Sequence, residues 1–138
     1  EQLKGFIEKI FITYRESFSD PKKILKKYQL GTAHHKSLHL ISFYKGITIS
    51  QLLRKLNVTK QSLNRVLNDL KRLEFLEFRK GSKDTRVRHI YLSSKGIKIY
   101  NEIFFSQKKR IYKAFLNSSA KEVLNFDQVL KRIINEKL

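Results

Sequence analysis

Apolar residues recur at helical spacing along most of this chain. Leu3, Phe6, Ile7, Ile10, Phe11, Tyr14 and Phe18 form a wide stripe that predicts a first helix over about residues 2–18. Ser19-Asp20-Pro21 breaks it, with Asp20 expected as the N-cap of the next helix and Pro21 at its first position. That second helix is short and basic, carrying Lys22, Lys23, Lys26 and Lys27. Gly31-Thr32 caps a helix predicted over about residues 33–45, with Gly46 placed to take the left-handed conformation after its end. Thr48 opens a helix through about Leu56, and Thr59 opens another through about Leu73. Glu77–Arg79 and Val87–Leu92 then read as strands rich in Phe, Val, Ile and Tyr, joined by the polar run RKGSKDTR with Gly81 for the turn. Ser93 or Ser94 caps a long helix to about Leu116, Asn117-Ser118-Ser119 interrupts it, and Ala120–Lys137 is predicted as the last helix.

The order from Thr48 to Gly96 is therefore helix, tight turn, helix and basic hairpin, the layout of a winged helix-turn-helix. The fold predicted is mainly α with a small β-hairpin wing. Within the helix that follows Thr59, Leu63, Val66, Leu67, Leu70 and Leu73 share one face, while Gln61, Arg65, Asn68 and Arg72 occupy the opposite one, flanked by Ser62 and Asn64. Amides and guanidinium groups pair in bidentate fashion with adenine and guanine edges in the major groove. Gln61, Asn64, Arg65 and Asn68 are the candidate base-reading residues. Thr59 leaves backbone N–H groups near the helix start, where a phosphate can dock, and Lys60 adds charge there. Asp69 is the only acid of the helix; it is repelled by phosphates unless it pairs with Arg65 or Arg72. Thr59, Lys60, Ser62, Arg72, Lys80, Ser82, Lys83 and Arg88 are the candidate phosphate contacts. The hairpin tip, with the adjoining Arg79, carries four cations (Arg79, Lys80, Lys83 and Arg86) and suits the DNA backbone or the minor groove.

The formal net charge of +18, from 30 Lys+Arg against 12 Asp+Glu, sharpens this reading towards a polyanionic partner. A Lys-rich AT-biased genome would raise the charge too, but would not decide where polar groups fall within the motif. With 138 residues, 41% of them hydrophobic, the chain is long enough for one domain with a true core. The absence of Cys excludes disulfides, thiolate metal sites and cysteine redox sensing. No apolar run reaches the roughly 18 residues of a membrane span and no signal-peptide pattern opens the chain, so a bacterial-type cytoplasmic protein with no membrane partner is expected. The chain lacks Met throughout, so its natural start is expected to lie upstream of Glu1.

These residues resemble the MarR family of bacterial winged-helix regulators. The resemblance rests on Ile47-Thr48, Leu52, Leu56, Val58, Thr59, Leu63, Arg65, Leu67 and Leu70, then on Asp84-Thr85-Arg86 and Leu92-Ser93-Ser94-Lys95-Gly96. Over LGTAHHKSLHLI and NVTKQSLNRVL the chain is similar to the PetP-type branch of that family in alphaproteobacteria. The resemblance implies that Arg86 enters the minor groove with Asp84 orienting it. It also implies effector control through the space between dimer helices and DNA-binding lobe. Three positions depart from the family pattern: Leu53 replaces a small residue, Asn57 the glycine of the inter-helix turn, and Glu74 the glycine after the second helix.

The expected organisation is a single domain over residues 1–138, with 1–30 and 97–138 as dimerisation helices and 31–96 as the DNA-binding lobe. The apolar stripes of the ends are too wide for a lone winged domain to cover. Phe6, Ile10, Phe11, Tyr14, Phe115, Leu124, Val129, Leu130 and Ile133 are the candidate dimer interface, which would set two recognition helices on a pseudo-palindromic operator of double-stranded DNA. His34, His35 and His39 form a candidate effector or metal cluster, His35 and His39 being spaced to share a metal, although the reading favoured for them is that they pack, hydrogen-bond or contact a phosphate. No cofactor, resident metal or catalytic residue is predicted. The expected function is a homodimeric, sequence-specific DNA-binding transcription regulator with a candidate small-molecule effector. The alternative is a weakly specific architectural DNA-binding protein, favoured by basic clusters at Lys22–Lys27, Lys108–Arg110 and Lys131–Arg132.

Overall fold

The computed structural model describes residues 1–134. Seven helices and three strands follow in the order α1 (Gln2–Ser19), α2 (Lys22–Lys27), α3 (Thr32–Phe43), β1 (Ile47–Thr48), α4 (Ile49–Leu56), α5 (Lys60–Arg72), β2 (Leu76–Lys80), β3 (Arg88–Leu92), α6 (Ser94–Leu116) and α7 (Ala120–Ile133) among the described residues. Winged-helix architecture is present as predicted, with local differences. Ile47–Thr48 adds a third strand, giving an antiparallel sheet in the order β1-β3-β2 with Ile47 opposite Ile90. Asp20 does not cap α2: it closes α1, Pro21 takes the N-cap position, and the Asp20 carboxylate is drawn instead to Arg110. The third helix ends at Phe43, the second long strand begins at Arg88, and α7 ends at Ile133. Of the helix predicted to reach Lys137, residues 135–137 lie outside the described residues.

Local chemistry sets the boundaries. Thr48 accepts the Gln51 N–H at 3.1 Å, and Gln51 returns the bond to the Thr48 N–H at 3.0 Å, a reciprocal cap that starts α4 one residue after the sheet. Thr59 and Ser93 cap α5 and α6 more simply, each hydroxyl accepting one backbone N–H, from Ser62 and Gly96. Asn57 takes φ +52° and so serves in the glycine position of the inter-helix turn. Glu74, in the other such position, holds φ +63°.

Two apolar clusters make the core. One joins Leu25, Leu30, Leu38, Val66, Leu70, Phe75, Ile99, Tyr100 and Ile103. The other joins Ile41, Ile47, Leu52, Leu63, Leu67 and Ile90. Helix α5 contributes to both, and each of its four buried apolar side chains is worth about 1.5–3 kcal/mol of burial. By contrast, α1 and α7 bury no residue completely. No helix among the described residues is long and apolar enough to cross a membrane.

The base of the wing depends on a close crossing. A Cβ at Gly96 would lie 2.1 Å from the Phe75 carbonyl oxygen, at the point where Ser93 N–H also bonds that oxygen at 2.9 Å. Gly96→Ala is expected to destabilise the fold by about 2–3 kcal/mol, read from the urea midpoint, because the rigid backbone has nowhere to move.

Candidate nucleic-acid interface

Burial of Leu63, Val66, Leu67 and Leu70 fixes the rotation of α5, and the opposite face is left to solvent. Gln61, Ser62, Asn64, Arg65, Asn68 and Arg72 are all exposed, as are Thr59 and Lys60 at its start. The helix thus presents amides, hydroxyls and guanidinium groups on a rigid convex ridge. At its N-terminus the Thr59 hydroxyl donates to the Ser62 hydroxyl at 2.9 Å, so the Ser62 proton remains available to an outside acceptor.

The wing carries a second preformed group. Arg86 donates through Nε to Asp84 Oδ1 at 3.1 Å and through Nη2 to Asp84 Oδ2 at 3.3 Å. The Arg86 backbone N–H also donates to Asp84 Oδ1, at 3.0 Å. The carboxylate therefore holds the guanidinium in place, and these bonds keep the Asp84 carboxyl below its ordinary pKa. The Arg86 side chain is nevertheless 90% exposed, so it is oriented without being consumed. Gly81 closes the tip: its N–H meets the Val87 carbonyl at 2.8 Å, and a Cβ there would lie 2.6 Å from the Asp84 carbonyl. Lys80, Ser82, Lys83 and Arg88 stand exposed around it.

Between wing and α4 runs an open groove of about 560 Å³ lined by Thr48, Ser50, Gln51, Arg54, Arg86 and Arg88. Arg54 and Ser50 did not stand out in the sequence, yet they complete a basic wall beside the wing. Their signal was present in the spacing of four residues, which puts them one turn apart on the outer face of α4.

The three histidines separate. His34 accepts the Gly31 N–H at Nδ1, 3.0 Å, and its Nε2 lies 2.9 Å from Asp69 Oδ2. Asp69 also meets Arg72 at 3.3 Å, one of the two pairings the sequence allowed. The carboxyl of Asp69 is held below its ordinary pKa, chiefly by the His34 hydrogen bond. His39 Nδ1 bonds the Tyr100 hydroxyl at 3.0 Å, joining α3 to α6. His35 is fully buried against Phe18, with ring centroids 4.9 Å apart, and neither ring nitrogen has a hydrogen-bond partner. Burial pushes its pKa down from 6.5 to about 4; the nearby Gln107 side chain opposes this without a well-formed bond, and the neighbouring His39 and Lys36 charges add to it. No group of three His, Cys, Asp or Glu able to hold a metal occurs among the described residues. His89, on β3, donates through Nδ1 to the Gly46 carbonyl at 2.7 Å, since a carbonyl only accepts.

The His35 shift has a sign. A histidine that binds its proton less readily when folded contributes fully above pH 6.5, and that contribution is lost as pH falls from 6.5 towards 4. His35→Leu is expected to remove about 2–3 kcal/mol of the stability difference between pH 7 and pH 4.5, measured by denaturant titration at both pH values. An unchanged difference would show that His35 is already satisfied inside the protein.

Known proteins share this arrangement. The MarR family profile matches residues 28–86. The HTH-type transcriptional regulator PetP of Rhodobacter capsulatus is 38% identical over 135 residues, covering 98% of this chain and 81% of PetP. Among solved structures, NadR in complex with 4-hydroxyphenylacetate superposes with a TM-score of 0.78 at 19% identity, covering 95% of this chain and 94% of NadR. Streptococcus pneumoniae FabT in complex with DNA gives 0.71 at 22% identity, covering 96% and 92%. The match to PetP along nearly all of this chain, together with the family profile over its DNA-binding lobe and the winged-helix geometry, shows that this chain belongs to the MarR family.

Proposed function

We propose that this chain is a transcription regulator that binds double-stranded DNA sequence-specifically as a homodimer in the cytoplasm. The observation that carries the proposal is the single ridge of exposed amide and guanidinium groups on α5, set beside a wing arginine already clamped by its own carboxylate. In this reading Gln61, Asn64, Arg65 and Asn68 face base edges. Thr59, Lys60, Ser62, Arg72, Lys80, Ser82, Lys83 and Arg88 face phosphates, and Arg86, oriented by Asp84, enters the minor groove. Relatives of the same fold support it: the FabT structure holds DNA, and PetP is a transcriptional regulator.

The dimer follows from what the single chain leaves uncovered. Phe6, Ile10, Phe11 and Tyr14 on α1, Phe115 on α6, and Leu124, Val129, Leu130 and Ile133 on α7 are all exposed. Such a surface is far larger than a soluble monomer tolerates, and pairing by a two-fold axis buries the same patch on both copies. The two α5 helices would then address half-sites about one helical turn apart.

A small-molecule effector is the remaining partner in this proposal. NadR holds 4-hydroxyphenylacetate in the same fold. Here a mostly apolar cleft of about 370 Å³ between α1 and α6, lined by Ser17, Phe104, Gln107, Ile111, Tyr112 and Phe115, offers a place for a ligand of similar character.

Sedimentation is expected to give a dimer at micromolar concentration, and a monomer there would remove the two-fold operator. Arg65→Ala is expected to weaken binding to the selected site by about 1–3 kcal/mol while blurring its sequence, measured by competition against random DNA. Equal loss on both would make Arg65 a phosphate contact. A wild-type ratio of specific to random affinity near one would favour the architectural alternative.

A further inference from the structure

An acid on a DNA-facing helix is a liability, and Asp69 stands immediately after the base-reading Asn68 and one turn before Arg72. Its surroundings show how the liability is managed. Oδ2 is taken by His34 at 2.9 Å, and Oδ1 touches Arg72 at 3.3 Å, longer than the roughly 2.7–2.9 Å of a strong charge-assisted bond. The stronger of the two holds comes from α3, and it pulls the carboxylate inward, where its side chain is 28% exposed. Arg72 keeps 72% of its side chain exposed.

The tautomer of His34 is dictated by its other contact. Gly31 N–H can only donate, so Nδ1 accepts and the ring proton sits on Nε2, directed at Asp69. His34 thereby performs two tasks with two atoms. Nδ1 caps the start of α3; Nε2 restrains the acid of α5. The two residues are 35 apart in the chain, so the link ties two helices whose relative placement decides where the polar ridge lies.

We infer that His34 is a positioning residue for DNA recognition, holding Asp69 towards α3 so that its pairing with Arg72 stays loose and the exposed guanidinium remains available to a phosphate. Without the Nε2 donor, the Asp69 carboxylate swings onto Arg72, makes the full two-oxygen pair, and neutralises a cation the DNA needs. A carboxylate also then faces the backbone. The inference rests on the DNA-binding reading above and adds a residue of α3 that touches no DNA.

His34→Asn separates the two tasks, because the asparagine oxygen can replace Nδ1 as the cap but the side chain is too short to reach Asp69. The probe is a duplex selected by the wild-type protein from a random-sequence library, with an unselected duplex as control. His34→Asn is expected to weaken binding to the selected duplex roughly tenfold and to make the slope of log affinity against log salt shallower by about one per protomer, with little change in melting temperature. Adding Asp69→Asn is expected to restore both, since no carboxylate remains to capture Arg72. A histidine that only stabilised the fold would show its loss in the melting temperature and leave the salt slope unchanged. A His34→Asn protein with wild-type affinity and slope, or a double variant as weak as the single one, overturns the inference. A wild-type protein with no preference for any selected duplex overturns the DNA-binding reading itself, a distinct outcome. Should His34→Asn melt below the assay temperature, Arg72→Ala decides: it is expected to make the salt slope shallower by about one per protomer, and an unchanged slope overturns the inference, because no available cation was then being preserved.

Discussion

Helix α5 is the shared wall of two cores. Val66 and Leu70 seal the cluster formed with α2 and α6, whereas Leu63 and Leu67 seal the one formed with α4, β1 and β3. A helix packed on one side only can roll; one wedged between two clusters cannot, because any rotation that relieves one opens a void in the other. The exposed ridge of Gln61, Arg65 and Asn68 is therefore set by leucines. The same constraint gives the wing its base, since Ile90 belongs to one cluster and Phe75 to the other.

Charge is distributed with similar economy. The chain carries few acids for its cations, and several of them serve to aim or tether a cation rather than oppose it. Asp84 orients Arg86. Asp20 and Glu16 grip Arg110 at 2.8 Å and 2.6 Å, fastening the end of α1 to α6. That last clasp is half-exposed and contributes modestly to stability, but it fixes the angle at which the uncovered face of α1 leaves the domain.

Much of this was readable in one dimension. The leucine spacing of α5 and the Thr48 and Thr59 caps each express a local rule, so spacing alone revealed them, whereas the Asp84–Arg86 pair was legible through the family resemblance. Strand β1 escaped because two residues are too short to show alternation and owe their conformation to pairing with Ile90 and His89. Asp20 has the chemistry of a cap and of an ion-pair partner, and only Arg110, 90 residues away, decides between them. The split of the histidines was illegible for the same reason. Asp69, Tyr100 and the Phe18 ring lie far off in sequence, so one imidazole became a cap and clamp, another a bridge, and the third a buried ring.

The crossing of Gly96 over Phe75 separates two regimes of evolutionary freedom. Below it, residue size is confined by backbone contact, and the segment tolerates almost no drift. Above it, only Gly81 and the Asp84–Arg86 clamp are constrained by geometry, and the remaining tip residues face solvent. The hairpin tip can therefore be re-sequenced or lengthened without loss of foldability, as the core below it cannot.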